Sequence, residues 1–269
     1  MSDDYLIGQK KDGVYTIALN RPEKRNAINK EILLGICEQA EGQVADPAIR
    51  AIIIRGEGKS FSAGVDFNSL GAEVGPFLGD AGAGGASLRA LIYQYQQYLN
   101  RLEAVEIPII CAMHGRVLGL GIELALACDI RLMSADCIWA MPEVKMGLIA
   151  DLGGTTRLSR ILGPSRAMEV LMTANDYTAQ QALDWGLISY LHPPEDLLPA
   201  AEKMAQDITA GAPLAVGVFK KIINRGEGLD LMTQLDMEVN LQSILLRTED
   251  FQEGIQALIE KRPAQWKRK

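Results

Sequence analysis

The stretch "PIICAMHGRVLGLGIELALACDIRLMS" occupies residues 108–134, and its reading decides the fold. "PIICAM" is a short apolar run behind a proline, the pattern of a buried strand. "GIELALACDI" opens a helix just after Gly119 and Gly121, and "IRLMS" returns to a strand pattern. Strand, glycine-marked turn, helix and strand in that order predict an α/β arrangement.

The same alternation runs outward in both directions. Towards the N-terminus, "VYTIAL" (Val14–Leu19) alternates and is β-rich, and "NRPEKRNAI" follows as a turn. Asn29 is placed to cap a helix through "KEILLGICEQAEGQVA". "AIIIR" (residues 51–55) reads as a buried strand and "GEGKSFSAGVD" as a glycine-rich loop. Residues 71–85 hold six glycines with little periodicity and read as a mobile surface loop. "SLRALIYQYQQYLNRLEAVE" is helical and is ended by Pro108. Towards the C-terminus "CIWAM" is strand-like. Beyond about Gly163 the signals are helical, with a long last stretch over residues 230–261, and "GLISYL" is the single later strand candidate. The order predicts an α/β core over residues 1–200 and a helical region over residues 201–269.

Composition narrows the partners. Of 269 residues, 48% are hydrophobic and 23% charged, which is ordinary for a globular chain and leaves disorder without support. The net charge of -7 disfavours a phosphate backbone, so no nucleic-acid partner is expected. No apolar run is long enough to span a membrane, and "MSDDYLIGQKK" carries no apolar signal region, so no membrane partner is expected either. Cys37, Cys111, Cys128 and Cys137 form no CxxC pair and sit among apolar neighbours, as core residues of a cytoplasmic protein would. With only His114 and His192, multi-histidine metal clusters are excluded, and no metal site is expected.

The chemistry-bearing residues lie in the most apolar third of the chain. Glu123 stands in "LGLGIELALAC", and Glu143 and Asp151 bracket "VKMGLIA". Carboxylates are rarely buried unless paired or used. Singly, each has an ordinary explanation: a helix-dipole contact for Glu123, a loop acid beside Pro142 for Glu143, a helix cap near "LGGTTRL" for Asp151. Asp129, at the end of its helix, is assigned a dipole contact or an ion pair. Two carboxyls gathered in one dry pocket push one pKa upward, leaving one protonated and one ionised group near neutral pH, which equips a site for acid–base work beside a polarised carbonyl. Spacing alone does not show that they converge. The small-residue loop "SFSAGVD" (residues 60–66) and the "GLG" turn at Gly119 could each bring a backbone N–H to such a carbonyl.

Taken together, "LNRPEKRNAI", "FSAGVD", "HGRVLGLGIELALACDIRLMSAD", "PEVKMGLIADLGGTTRLSRILG", "ALDWGLIS" and "ALIEKRPAQWK" resemble the crotonase, or enoyl-CoA hydratase/isomerase, superfamily. The resemblance implies a crotonase-like α/β spiral of ββα units with a helical C-terminal trimerisation region that also covers the pocket. It implies a homotrimer or dimer of trimers. The substrate would be an acyl-CoA thioester, with coenzyme A part of that substrate and no separate cofactor. Val65 and Leu120 would supply the oxyanion-hole N–H groups, with leucine where glycine is commoner. Lys24, Arg25, Ala27, Ala63 and Asp66 would border the CoA groove, and Lys261 would reach a CoA phosphate, from a neighbouring subunit in one arrangement. Glu123 and Glu143 match the two glutamates of hydratases, which add water across a trans-2-enoyl thioester. Asp151 resembles the acid of dienoyl-CoA isomerases, so double-bond isomerisation is the alternative. A non-catalytic acyl-CoA or RNA-binding member is a further one, against which the retained glutamates and the acidic charge argue.

Overall fold

In the computed structural model, which describes residues 5–77, 83–226 and 228–269, the chain opens as an antiparallel pair, β1 (Leu6–Lys11) and β2 (Val14–Leu19). Helix α1 (Lys30–Gly42) follows. Asn29 caps it as expected, its side chain accepting from the Ile32 N–H at 3.0 Å. Strand β3 (Ala51–Gly56) then lies parallel to β2. Next come helices α2 (Phe67–Val74) and α3 (Ala83–Ala104), strands β4 (Ile109–Met113) and β5 (Arg116–Leu118), and helix α4 (Leu120–Leu126). Strands β6 (Ile130–Ser134) and β7 (Ile138–Ala140) precede α5 (Gly154–Leu162) and α6 (Pro164–Thr173). After these, β8 (Tyr177–Thr178), α7 (Ala179–Asp184) and β9 (Tyr190–His192) complete the strands, and α8 (Leu197–Thr209) follows them. Helices α9 (Pro213–Gly226), α10 (Leu231–Leu245) and α11 (Glu249–Glu260) end the fold.

The strands form two sheets, one in the order β1-β2-β3-β4-β6-β9 and one in the order β5-β7-β8. Consecutive strand pairs β4–β5 and β6–β7 send one strand to each sheet before a helix returns the chain, which is the expected ββα progression. The short β5 escaped the sequence reading because "RVL" has no length for a pattern to show. Burial on both faces explains the apolar run of β3. Ile52 and Ile54 join the main core with Ile32, Leu33 and Ile36 of α1 and with Leu99 and Leu102 of α3. Ala51 and Ile53 point the other way, against Leu197, Ala201 and Ala205 of α8. The expected division at residue 200 therefore falls inside a helix that covers the sheet.

Two stretches differ from the sequence reading. Much of the glycine-rich stretch over residues 71–85 is helical where a loop was expected. Asp66 nucleates α2 by accepting from the Asn68 and Ser69 N–H groups, and Gly75–Phe77 adds a 3-10 turn; α3 already begins at Ala83, and residues 78–82 lie outside the described residues. Residues 230–261 are two helices. Thr248 caps the second by accepting from the Phe251 N–H at 3.1 Å, which breaks the first.

Helix α9 is tied to the core by a buried pair. Lys220 Nζ lies 2.8 Å from Asp129 Oδ2, and the Asp129 carboxylate also accepts the Ile109 N–H at 2.7 Å. Asp129 thus has the ion-pair role expected of it, with a lysine as partner. Beyond this anchor, α10 and α11 present Leu231, Met232, Val239, Leu258 and Ile259 to solvent.

Candidate active site

Four segments converge beside the start of α4. The first is the loop after β3. Ser62 forms a parallel bridge with Val117 of β5, and the Leu118 N–H donates to the Ser62 carbonyl at 3.0 Å. Gly64 then turns with φ +89°, and a Cβ there would lie 2.8 Å from the Leu118 oxygen and 3.6 Å from the Leu120 nitrogen. Only glycine permits both that φ and that approach. The neighbouring peptides are held on either side of Val65: the Ile28 N–H donates to the Gly64 carbonyl at 2.7 Å, and the Asp66 N–H to the Ile28 carbonyl at 2.8 Å. Among the described residues, the Val65 N–H has no protein acceptor.

Gly119 positions the second and third segments. Its φ of +46° swings the chain from β5 into α4, and its carbonyl takes the Ile122 and Glu123 N–H groups. Among the described residues, the Leu120 N–H likewise has no protein acceptor. The Leu120 side chain is 3% exposed and belongs to the main core. Glu143 begins a 3-10 turn after β7, and its Oε1 packs against Gly119 where a Cβ would sit. Glu143 Oε2 is buried without a hydrogen-bond partner. A buried carboxyl oxygen left unpaired is placed to meet a ligand.

The fourth segment is the turn over residues 150–154. Glu123, 3% exposed, accepts the Leu152 and Gly154 N–H groups on one oxygen, Oε1, each at 2.9 Å. A Cβ on Gly154 would lie 2.7 Å from that oxygen, so the contact requires glycine. Asp151 is half-buried on the same turn; Gly153, not Asp151, stands at the N-cap of α5. Burial pushes the Glu123 carboxyl up to about 8, the two N–H donors oppose that, and the charges of Glu143 and Asp151 add to it. Burial also raises Glu143, and Asp151 raises it further; burial raises Asp151. Glu123 feels both other acids and Glu143 feels Asp151, so the three predicted acids lie near one another. Glu123 is the one of the three raised far enough to retain its proton near neutral pH.

The residues expected at a CoA groove separate into three groups. Lys24 and Arg25 are exposed, Ala27 and Ala63 half-buried, and the Ala63 N–H donates to the Arg25 carbonyl at 2.8 Å, which joins the two segments. The Asp66 carboxylate is buried and turned inward. Both terminal nitrogens of Arg21 donate to it at 3.1 Å, and Arg21 also donates to the Ala27 carbonyl at 3.0 Å. Arg21 escaped notice as a site residue, although "LNRPEK" contains it. Lys261 is exposed, with φ 54°, at the C-terminal end of α11; among the described residues it makes no hydrogen bond or ion pair to the Lys24–Ala27 side.

Known proteins resemble this chain over nearly its whole length. A family model described as enoyl-CoA hydratase/isomerase matches residues 9–269. The chain is 34% identical over 268 residues to a crotonyl-CoA hydratase of Syntrophomonas wolfei, covering 98% of each chain. It is 36% identical over 254 residues to the mitochondrial Delta(3,5)-Delta(2,4)-dienoyl-CoA isomerase of Mus musculus, covering 93% of this chain and 77% of that one. The crystal structure of an enoyl-CoA hydratase from Bacillus anthracis superposes with a TM-score of 0.89 at 29% identity, covering 98% of this chain and 100% of that one.

Proposed function

Because the chain belongs to the enoyl-CoA hydratase/isomerase family, we propose that it hydrates a trans-2-enoyl-CoA thioester. The thioester oxygen lies between the Val65 and Leu120 N–H groups, whose donors are free in the protein. Glu123 and Glu143 hold one water. Its oxygen bonds to C3 of the enoyl group and its proton passes to a carboxylate. The electrons move onto the thioester oxygen as an enolate, stabilised by the two N–H groups. A carboxyl of the cluster then delivers a proton to C2, giving the 3-hydroxyacyl thioester. One protonated and one ionised carboxyl are needed at the start, and the raised proton affinity of Glu123 supports that supply near neutral pH. The observation that carries the reading is Glu143 Oε2, buried and unpartnered on a carboxyl whose other oxygen packs against Gly119.

Asp151 favours a second reaction on the same scaffold. A third acid within range of both glutamates fits proton movement along a conjugated chain, which is double-bond isomerisation without added water. Lys24, Arg25, Ala27 and Ala63 border the CoA groove in this proposal, and Asp66 acts by holding the loop through Arg21. Lys261 is assigned to a CoA phosphate reached across a subunit contact. The exposed apolar faces of α10 and α11 support a homotrimer or dimer of trimers. The four cysteines are free and buried, which fits the cytoplasm.

The test is mass spectrometry of a short trans-2-enoyl-CoA incubated with the protein and with Glu123→Gln and Glu143→Gln. Gain of one water by the parent, lost in both variants, is the expected result. A full rate of hydration in either variant would remove that residue from the mechanism.

A further inference from the structure

The turn carrying Asp151 is fastened from outside. Gln96, half-buried on α3, donates from Nε2 to the Asp151 carbonyl at 2.6 Å. Arg157, on the first turns of α5, donates from Nη1 to the Leu152 carbonyl at 3.2 Å. Its other terminal nitrogen reaches back to α3, to Asn100 Oδ1 at 2.8 Å and Glu103 Oε2 at 2.7 Å. Gln96, Asn100 and Glu103 follow one another at four and three residues, so they share one face of α3. Directly after the two captured carbonyls, Gly153 adopts φ +102° and leaves the space through which Arg157 passes; a Cβ there would collide with Nη1.

We propose that Gln96 and Arg157 are positioning residues: anchored on α3, they fix the turn that carries Asp151 and that presents the Leu152 and Gly154 N–H groups to Glu123. The Asp151 carbonyl held by Gln96 shares its peptide plane with the Leu152 N–H, and the Leu152 carbonyl held by Arg157 belongs to the next peptide. Releasing them frees these peptides to rotate and withdraws donors from Glu123 Oε1. Among the described residues, the charged groups that act most on Glu123 are Glu143 and Asp151, both acids. Arg157 spends its charge on Glu103. Loss of the N–H donors therefore raises the proton affinity of Glu123 further. The inference rests on the proposed hydration for its kinetic readout and on the fold alone for its second readout.

The experiment compares the parent with Gln96→Met, Arg157→Met and Arg157→Lys on a trans-2-enoyl-CoA across pH. Expected in both methionine variants is a fall in kcat of about ten- to a hundred-fold, the scale of a small misplacement of catalytic groups. KM stays within about threefold because the CoA groove is untouched. The Glu123-dependent limb of the profile moves to higher pH, and Arg157→Lys recovers part of the loss. Parental kcat and pH profile in both methionine variants would overturn the proposal. So would a loss of thermal stability with an unmoved profile. If the parent itself leaves enoyl-CoA unchanged, the functional reading fails and the strap is judged by unfolding. The difference in stability between each variant and its Glu123→Gln double variant is then followed against pH. A change in that difference from the parent supports the strap, and an identical pH dependence overturns it. Should Arg157→Met not fold, Gln96→Met and Arg157→Lys carry the same comparison.

Discussion

Glu123 has two N–H donors on one oxygen and two acids for neighbours, and its ionisation bears on stability as well as on the proposed catalysis. In the unfolded chain it ionises near the ordinary 4.5, and in the folded protein near 8. Between those values the folded protein holds a proton that the unfolded chain has released, so stability falls as pH rises through that window. The slope reaches at most about 1.4 kcal/mol per pH unit for one group. Urea unfolding between pH 5 and 8 is expected to show a shallower fall in Glu123→Gln than in the parent; parallel curves would mean that the carboxyl is not held protonated. Gly154→Ala forces a methyl onto Glu123 Oε1 and the Ala150 side chain. It is expected to cost about 1–3 kcal/mol in unfolding free energy, as overpacking does, together with much of the activity. At this scale the three acids could be picked out from their apolar surroundings. Their convergence could not, because it depends on backbone N–H groups and on the ties of Gln96 to Asp151 and of Arg157 to Glu103, which span more than 50 positions. Arg157 also looks like any surface arginine when only its neighbours in the chain are read.

Elements whose signals are local were legible. Asn29 before α1 and the apolar run of β3 are each explained by residues within one turn or one strand. The helix at α2 was hidden by glycines that count against a helix in isolation, and the side chain of Asp66 decides it, as an N-cap that is also paired with Arg21. The Tyr95 hydroxyl of α3 secures α2 from the other side by donating to Glu73 at 2.8 Å. The docking of α9 depends on the Lys220–Asp129 pair. Lys220→Met removes the cation and leaves Asp129 buried beside the start of β4. A loss of about 3–5 kcal/mol is expected in chemical unfolding, the cost of breaking a buried pair from one side. A loss within 0.5 kcal/mol would show that water reaches Asp129 and that the pair does not anchor the helix.

For the whole molecule, the α/β order, the helical C-terminal half and the placement of the acids in one apolar region were readable along the chain. The boundary near residue 200 was not, because α8 resembles the helices after it and is distinguished only by packing on the sheet. The apolar residues left exposed on α10 and α11 predict association. Light scattering on the purified protein is expected to give three or six times the 29.3 kDa protomer mass, and Val239→Asp with Leu258→Asp should lower it; a monomeric parent would contradict that arrangement. The central claim is that the clustered acids move protons on an enoyl thioester held by the Val65 and Leu120 N–H groups. Its most direct test is mass spectrometry of a trans-2-enoyl-CoA incubated with the protein in heavy water. The account predicts gain of one water with one deuterium bound to carbon, from the proton delivered to C2. A substrate recovered unchanged, with neither added water, carbon-bound deuterium nor a moved double bond, would contradict it.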